Sequence, residues 1–99
     1  MSTYVILTSR PGQFRTEAVD GLQPLETYEY RFCGRARARF VIAELLTAVK
    51  VRIVDETFPP VVNHVPSKFL EKFSTLDHAR GQLMHLAACG GGDAELVRQ

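Results

Sequence analysis

Arginine stands at every second position across Arg35, Arg37 and Arg39, directly after a run that sets Tyr28, Tyr30 and Phe32 at the same spacing. A guanidinium presents a rigid fork of donors that grips carboxylate or phosphate bidentately. Aromatic rings interleaved with such forks can stack nucleic-acid bases while the cations hold phosphates. The same period of two also describes the two sides of an ordinary β-hairpin. The register of that hairpin decides between the two.

If Cys33-Gly34 is a two-residue turn, Tyr30 faces Arg37 and Tyr28 faces Arg39, giving a mixed aromatic and cationic ladder. Glycine at the second central position suits the type I′ turn this requires. If the loop is Cys33-Gly34-Arg35, the pairs become Phe32/Ala36, Tyr30/Ala38 and Tyr28/Phe40, with Arg31/Arg37 and Glu29/Arg39 on the reverse. The second register gathers Tyr28, Tyr30, Phe32, Ala36, Ala38, Phe40 and Ile42 on one side. A slip of one residue would send half of them into water. Burying each large side chain is worth roughly 1.5–3 kcal/mol, against about 1 kcal/mol for the turn preference. The expectation is therefore a tyrosine side buried against a helix. A guanidinium side, Arg31, Arg37, Arg39, Lys50 and Arg52, then faces water and binds an anionic partner.

The remaining chemistry-bearing residues assemble nothing stronger. His64 could approach Asp55 or Glu56 across a hairpin, a pairing capable of acid–base work, but no nucleophile or oxyanion hole accompanies it. His85 and Cys89 lie four apart, with His78 a further seven residues back; a metal needs more ligands than that. Two cysteines, Cys33 and Cys89, also fall short of the four an iron–sulfur cluster takes. "GGGD" (Gly90–Asp93) resembles a phosphate loop but follows a helix, where the dipole is negative, rather than preceding one. No catalytic residue, metal site or cofactor is expected.

Charge adds a direction. Tyr28–Arg52 holds six positive and two negative residues, whereas the rest of the chain holds six and nine, out of totals of 12 and 11. A basic segment inside a nearly neutral chain is the footprint of an anionic partner. The N-terminus lacks a basic segment followed by a long apolar run, and no stretch reaches the roughly 18 apolar residues of a membrane span. These features suggest a cytoplasmic chain with free thiols and no membrane contact.

The elements that must position these residues follow from pattern. "TYVILTS" reads as a strand, Pro11-Gly12 as a type II turn, and "FRTEAV" as a weaker strand. The Leu25–Ile42 hairpin comes next, and then "AVKVRIVDE", with Val49, Val51 and Ile53 inward and Lys50 and Arg52 outward. "FPPVVNHVP" holds a short edge strand stopped by Pro66; an exposed Phe14 or Phe58 could anchor a partner. Ser67 caps a short helix "KFLEKF", and Ser74 or Thr75 caps a longer one to about Ala88, with Leu76, Ala79, Leu83, Leu86 and Ala87 on one stripe. Residues 90–99 either fray as a flexible tail or add a strand.

The whole predicts a single α+β domain over residues 1–99. A curved, mostly antiparallel sheet of four to six strands carries a C-terminal helix on one face. The preferred function is a non-catalytic interaction module, an accessory or regulatory subunit of a larger enzyme, with multicomponent redox enzymes among the candidates. It would dock an acidic protein or anionic ligand on its basic sheet face, and a homodimer through a sheet edge is compatible with this. Two alternatives stay open. One is single-stranded nucleic-acid binding. The other is a small ligand-binding protein or enzyme with a pocket between sheet and helix.

Overall fold

A computed structural model of the chain describes residues 2–57, 59–89 and 91–99. Seven strands form in order: β1 (Tyr4–Ser9), β2 (Phe14–Glu17), β3 (Leu22–Phe32), β4 (Arg35–Leu45), β5 (Lys50–Asp55), β6 (Val62–Pro66) and, after helix α1 (Leu76–Cys89), β7 (Ala94–Arg98). All pair antiparallel, in two sheets of order β1-β4-β3-β7 and β2-β5-β6. The α+β class with a C-terminal helix is as the pattern implies. The strands exceed the expected four to six and divide into two sheets, because β2, β5 and β6 pair only among themselves.

Three layers result. One side of the four-stranded sheet packs on α1 through Ile42, Tyr28, Phe40 and Ile6 against Ala79 and Leu83. The other side, Val5, Leu7, Leu22 and Ala43, packs on Val51 and Val49 of the second sheet. The face expected to be partly wet is thus covered over much of its area. Two irregularities in β3·β4 distribute side chains between the layers. Leu25 is an extra residue between the pairs Pro24↔Ala43 and Glu26↔Ile42. Leu22 therefore faces the second sheet, whereas Glu26, Tyr28 and Tyr30, of the same parity, face the helix side. Pro24 is tolerated because β7 pairs β3 only at Tyr28–Phe32, leaving Pro24 on a free edge.

The second irregularity settles the hairpin. Cys33 and Gly34 take φ values of 52° and 76°, the positive pair of a type I′ turn, so Phe32 pairs Arg35 and Arg31 pairs Ala36. Arg37 is then left over as a β-bulge, and beyond it Tyr30 pairs Ala38, Glu29 pairs Arg39 and Tyr28 pairs Phe40. The turn obeys local chemistry, and the bulge restores the register that buries the aromatics. Tyr28 packs in the helix-side core, as expected.

The helices follow the pattern in part. Thr75 caps α1 by accepting the His78 N–H at 3.0 Å. Thr75→Ala should cost about 1 kcal/mol, read as a melting midpoint lower by about 5 °C. Ala79 and Leu83 are buried, but Leu86, placed on the same stripe by periodicity, is 42% exposed. The short helix after Pro66 reduces to a 3-10 turn, Ser67–Phe69. Ser67 is drawn into the sheet instead: its N–H donates to the Val49 carbonyl (2.7 Å) and its Oγ accepts the Val49 N–H (3.1 Å). Phe73 exchanges two 2.8 Å backbone bonds with Tyr4, closing the outer edge of β1 there. Ala94–Arg98, read as tail or strand, pairs with β3 as β7. Phe58 lies outside the described residues.

Candidate anion-binding groove

A helix of 14 residues is about 21 Å long, while the molecule extends 39 × 38 × 21 Å. Helix α1 therefore cannot cover its whole sheet face. Past Leu86 a groove of about 560 Å³ opens, floored by Tyr30, Phe40, Ala38 and Leu86 and rimmed by Thr8, Gln13, Arg10 and Arg37. The rings of Tyr30 and Phe40 meet edge to face at 6.4 Å, which fixes the floor.

The bulge brings Arg37 here. Strict alternation would put it opposite Ala38, but both line this groove. Arg10 arrives from β1 through the Pro11-Gly12 turn, in which its carbonyl accepts the N–H groups of Gln13 and Phe14, each at 3.0 Å. Among the described residues neither guanidinium forms an ion pair, and no carboxylate lines the groove. Two forks beside an apolar floor, with their charge uncompensated, suit an anion attached to an apolar body.

The five cations expected to share one face are not brought together. Arg31 is held by Glu29 at 3.0 Å, which raises its pKa, with Glu95 adding attraction from β7. Arg52 is held by Glu17 at 3.2 Å, and Glu17 also holds Arg15 at 3.3 Å. Lys50 and Arg52 belong to the second sheet, because β5 lies between β2 and β6 and is no neighbour of β4. Arg39 opens into a separate groove between the sheets, about 490 Å³, whose charged lining mixes Arg15 and Arg39 with Glu17 and Glu56. Only Arg37 is both uncommitted and placed on the aromatic side. A single basic stripe is therefore corrected to one groove built from Arg37 and Arg10. Arg10 was legible only as a residue beside a turn, since its meeting with Arg37 needs the β1·β4 pairing.

His64 stands across from Arg52, not Asp55. Asp55 instead accepts from the Thr57 hydroxyl (2.6 Å) and N–H (2.8 Å), bonds that lower its pKa. Phe14 is half-buried. The Cys89 side chain lies outside the described residues, and among the others no three metal-ligating side chains gather.

A second polar cluster ties the layers together. Glu26 has 4% of its side chain exposed and accepts from the Arg80 guanidinium of α1 (Nε at 2.9 and 3.1 Å, and Nη2), with Arg98 of β7 at 3.6 Å. The Tyr28 hydroxyl donates to it at 2.6 Å, and Asp77 holds the other arm of Arg80 at 3.1 Å. The Arg80 bonds lower the Glu26 pKa to about 2 against the opposing effect of burial. Burial first, then the bond to Glu26, raises the Tyr28 pKa. The cluster is a clamp from β3 to α1 by hydrogen bonds, and to β7 by the ion pair with Arg98. Its signal in the sequence was Glu26 falling in the row of Tyr28, Tyr30 and Phe32. A carboxylate on a buried face needs a cation.

The fold and groove define the chain as an α+β domain of two antiparallel sheets and one helix, with a cationic groove at the helix end. No protein-family model, curated protein or solved structure matches it. Among the described residues no helix is long and apolar enough to cross a membrane.

Proposed function

We propose that this chain is a non-catalytic interaction module that takes an acidic protein segment into the groove of Arg10 and Arg37, with a bulky apolar side chain of that segment seated on Tyr30, Phe40 and Leu86. Such a module serves as an accessory or regulatory subunit of a larger enzyme. A cytoplasmic setting fits the exposed free thiol of Cys33. The observation that carries the reading is the pair of guanidiniums that, among the described residues, no carboxylate answers. A second copy of the chain is a further partner within this reading, through a sheet edge.

An acidic peptide is favoured over single-stranded nucleic acid. Base-stacking proteins line successive rings along a basic track several nucleotides long. Here one edge-to-face aromatic pair floors one groove. Beyond it Arg31 is answered by Glu29, with Glu95 across from it.

The test titrates the protein with a fluorescent peptide alternating glutamate and phenylalanine, and separately with oligothymidine. Arg10→Glu with Arg37→Glu should weaken peptide binding at least about tenfold and flatten its salt dependence, while Arg52→Glu on the other sheet changes little. Peptide affinity unmoved by the double reversal overturns the reading. Tighter binding to oligothymidine, with a steep salt slope, replaces it by the nucleic-acid reading.

A further inference from the structure

The two sheets have four outer edges, and three are partly bonded or blunted. On β1, Tyr4 is bonded to Phe73 and the Thr8 carbonyl accepts the Thr16 hydroxyl. On β2, the Thr16 N–H donates to Ser9 Oγ at 2.9 Å. On β6, the bonds Asp55 N–H to Val61 (2.8 Å) and Ser67 N–H to Val49 (2.7 Å) turn odd-numbered residues toward β5. Val62, His64 and Pro66 therefore face outward. Pro66 has no N–H to give, so this edge is blunted.

The fourth edge, β7, is different. Cys33 N–H donates to the Asp93 carbonyl at 3.0 Å and Gln99 N–H to the Thr27 carbonyl at 2.9 Å. Bonded pairs in an antiparallel ladder recur at every second residue. Residues 93, 95, 97 and 99 thus turn their backbone groups to β3, and Ala94, Leu96 and Arg98 turn theirs outward. Among the described residues those outward groups meet no partner.

We infer that β7 pairs antiparallel with β7 of a second copy of the chain, about a two-fold axis through Leu96, joining two four-stranded sheets into one. The spacing is self-complementary. With Leu96 opposite Leu96 of the partner subunit, Ala94 stands opposite the partner's Arg98, and every outward N–H meets an outward carbonyl. Glu95 falls opposite the partner's Val97, so no like charges face each other directly. Glu95 also faces Arg31 within its own chain. A two-fold about any other residue of β7 leaves outward groups at one end unpaired. The arrangement is independent of the Arg10/Arg37 groove, since β7 and β1 are opposite edges of the sheet, and it stands if the acidic-segment reading fails.

The test combines sedimentation across a concentration series with amide hydrogen exchange of the intact chain. A dimer is expected whose formation slows exchange at Leu96, an amide that has no acceptor in the monomer. Ala94→Pro removes an outward N–H without touching a bond to β3, and should weaken dimerisation about tenfold. Should that variant fold poorly, the concentration dependence of Leu96 exchange in the unaltered chain decides alone. A monomer at millimolar concentration overturns the inference. So does a dimer in which Leu96 exchanges as fast as in dilute protein, which would place the contact elsewhere. Protection of Leu96 only when an acidic peptide is added would assign the edge to a foreign strand and overturn it too.

Discussion

Glu26→Gln should lower the stability of the fold by about 2–3 kcal/mol at neutral pH, and should remove much of its acid sensitivity. Gln keeps the volume of the side chain and a hydrogen-bond acceptor for Tyr28. It leaves the Arg80 guanidinium facing a neutral amide, with Arg98 close by. Breaking one side of a buried ion pair costs about 3–5 kcal/mol. The Arg80 side chain is 40% exposed, so water recovers part of its solvation and the lower figure applies.

The pH dependence has a definite sign. The folded-state pKa of Glu26 is lowered from 4.5 to about 2, so the unfolded chain binds the proton first. Its contribution is fully present above the unfolded value and is lost as pH falls from there toward about 2. The groups facing Glu26 are Arg80 and Asp77 from α1, Tyr28 from its own strand and Arg98 from β7. The cations stay charged throughout that window. Asp77 is 91% exposed and bonds to Arg80 rather than to Glu26. Urea melts at pH 7 and pH 3 measure the effect. The unaltered chain should lose distinctly more stability between them than the Gln variant. Equal losses in both would show that Glu26 is not the group whose protonation loosens α1 and β7 from β3.

What the sequence showed of this fold, and what it hid, follows from the range of the interactions. The alternation of Tyr28, Tyr30, Phe40 and Ile42 is local, and it placed the hairpin and its buried side. Around Cys33-Gly34 two local signals disagreed, turn chemistry asking for one register and apolar burial for another. The chain satisfies both with an extra residue, Arg37. Bulges carry no composition of their own, so only the conflict was legible, not its resolution. The expected helix "KFLEKF" fails because Ser67 and Phe73 have backbone partners at Val49 and Tyr4, distant contacts that override helical spacing. Phe69 is left 72% exposed as a result.

The site divides the same way. Arg37 was visible as one arginine of a row. Its companion Arg10 was hidden by 26 intervening residues. Arg31 and Arg52, equally visible, are neutralised by Glu29 and Glu17, a pairing that charge counting along the chain does not distinguish from a free cation.

Gly21→Ala should destabilise the fold by about 3 kcal/mol, the other large effect expected from one substitution. Gly21 occupies the third position of the turn that leads into β3, closed by the Leu22 N–H on the Val19 carbonyl at 3.1 Å. Its φ is +98°, and a Cβ there would lie 2.5 Å from Val49 Cγ1 and 2.8 Å from Thr47 Cγ2. Two costs combine: backbone strain of about 1–3 kcal/mol and overpacking of about 1–3 kcal/mol. Relief is restricted. Val49 packs on the core of Val5, Leu7 and Val51, and its N–H and carbonyl are held by Ser67. The Gly21 carbonyl itself accepts the Leu46 N–H at 2.8 Å. Thr47 and Val49 lie on the link that carries the chain from β4 in one sheet to β5 in the other. An added methyl therefore pushes on the joint between the layers. Gly12→Ala separates the two costs, because φ there is +79° with nothing within 4 Å of the new Cβ. That variant should lose only the strain, about 1 kcal/mol, and melt about 5 °C lower, while Gly21→Ala melts about 15 °C lower. Equal midpoints for the two would mean that Val49 moves freely. The second sheet would then sit on the first without the close fit at Gly21 that holds the grooves' walls in place.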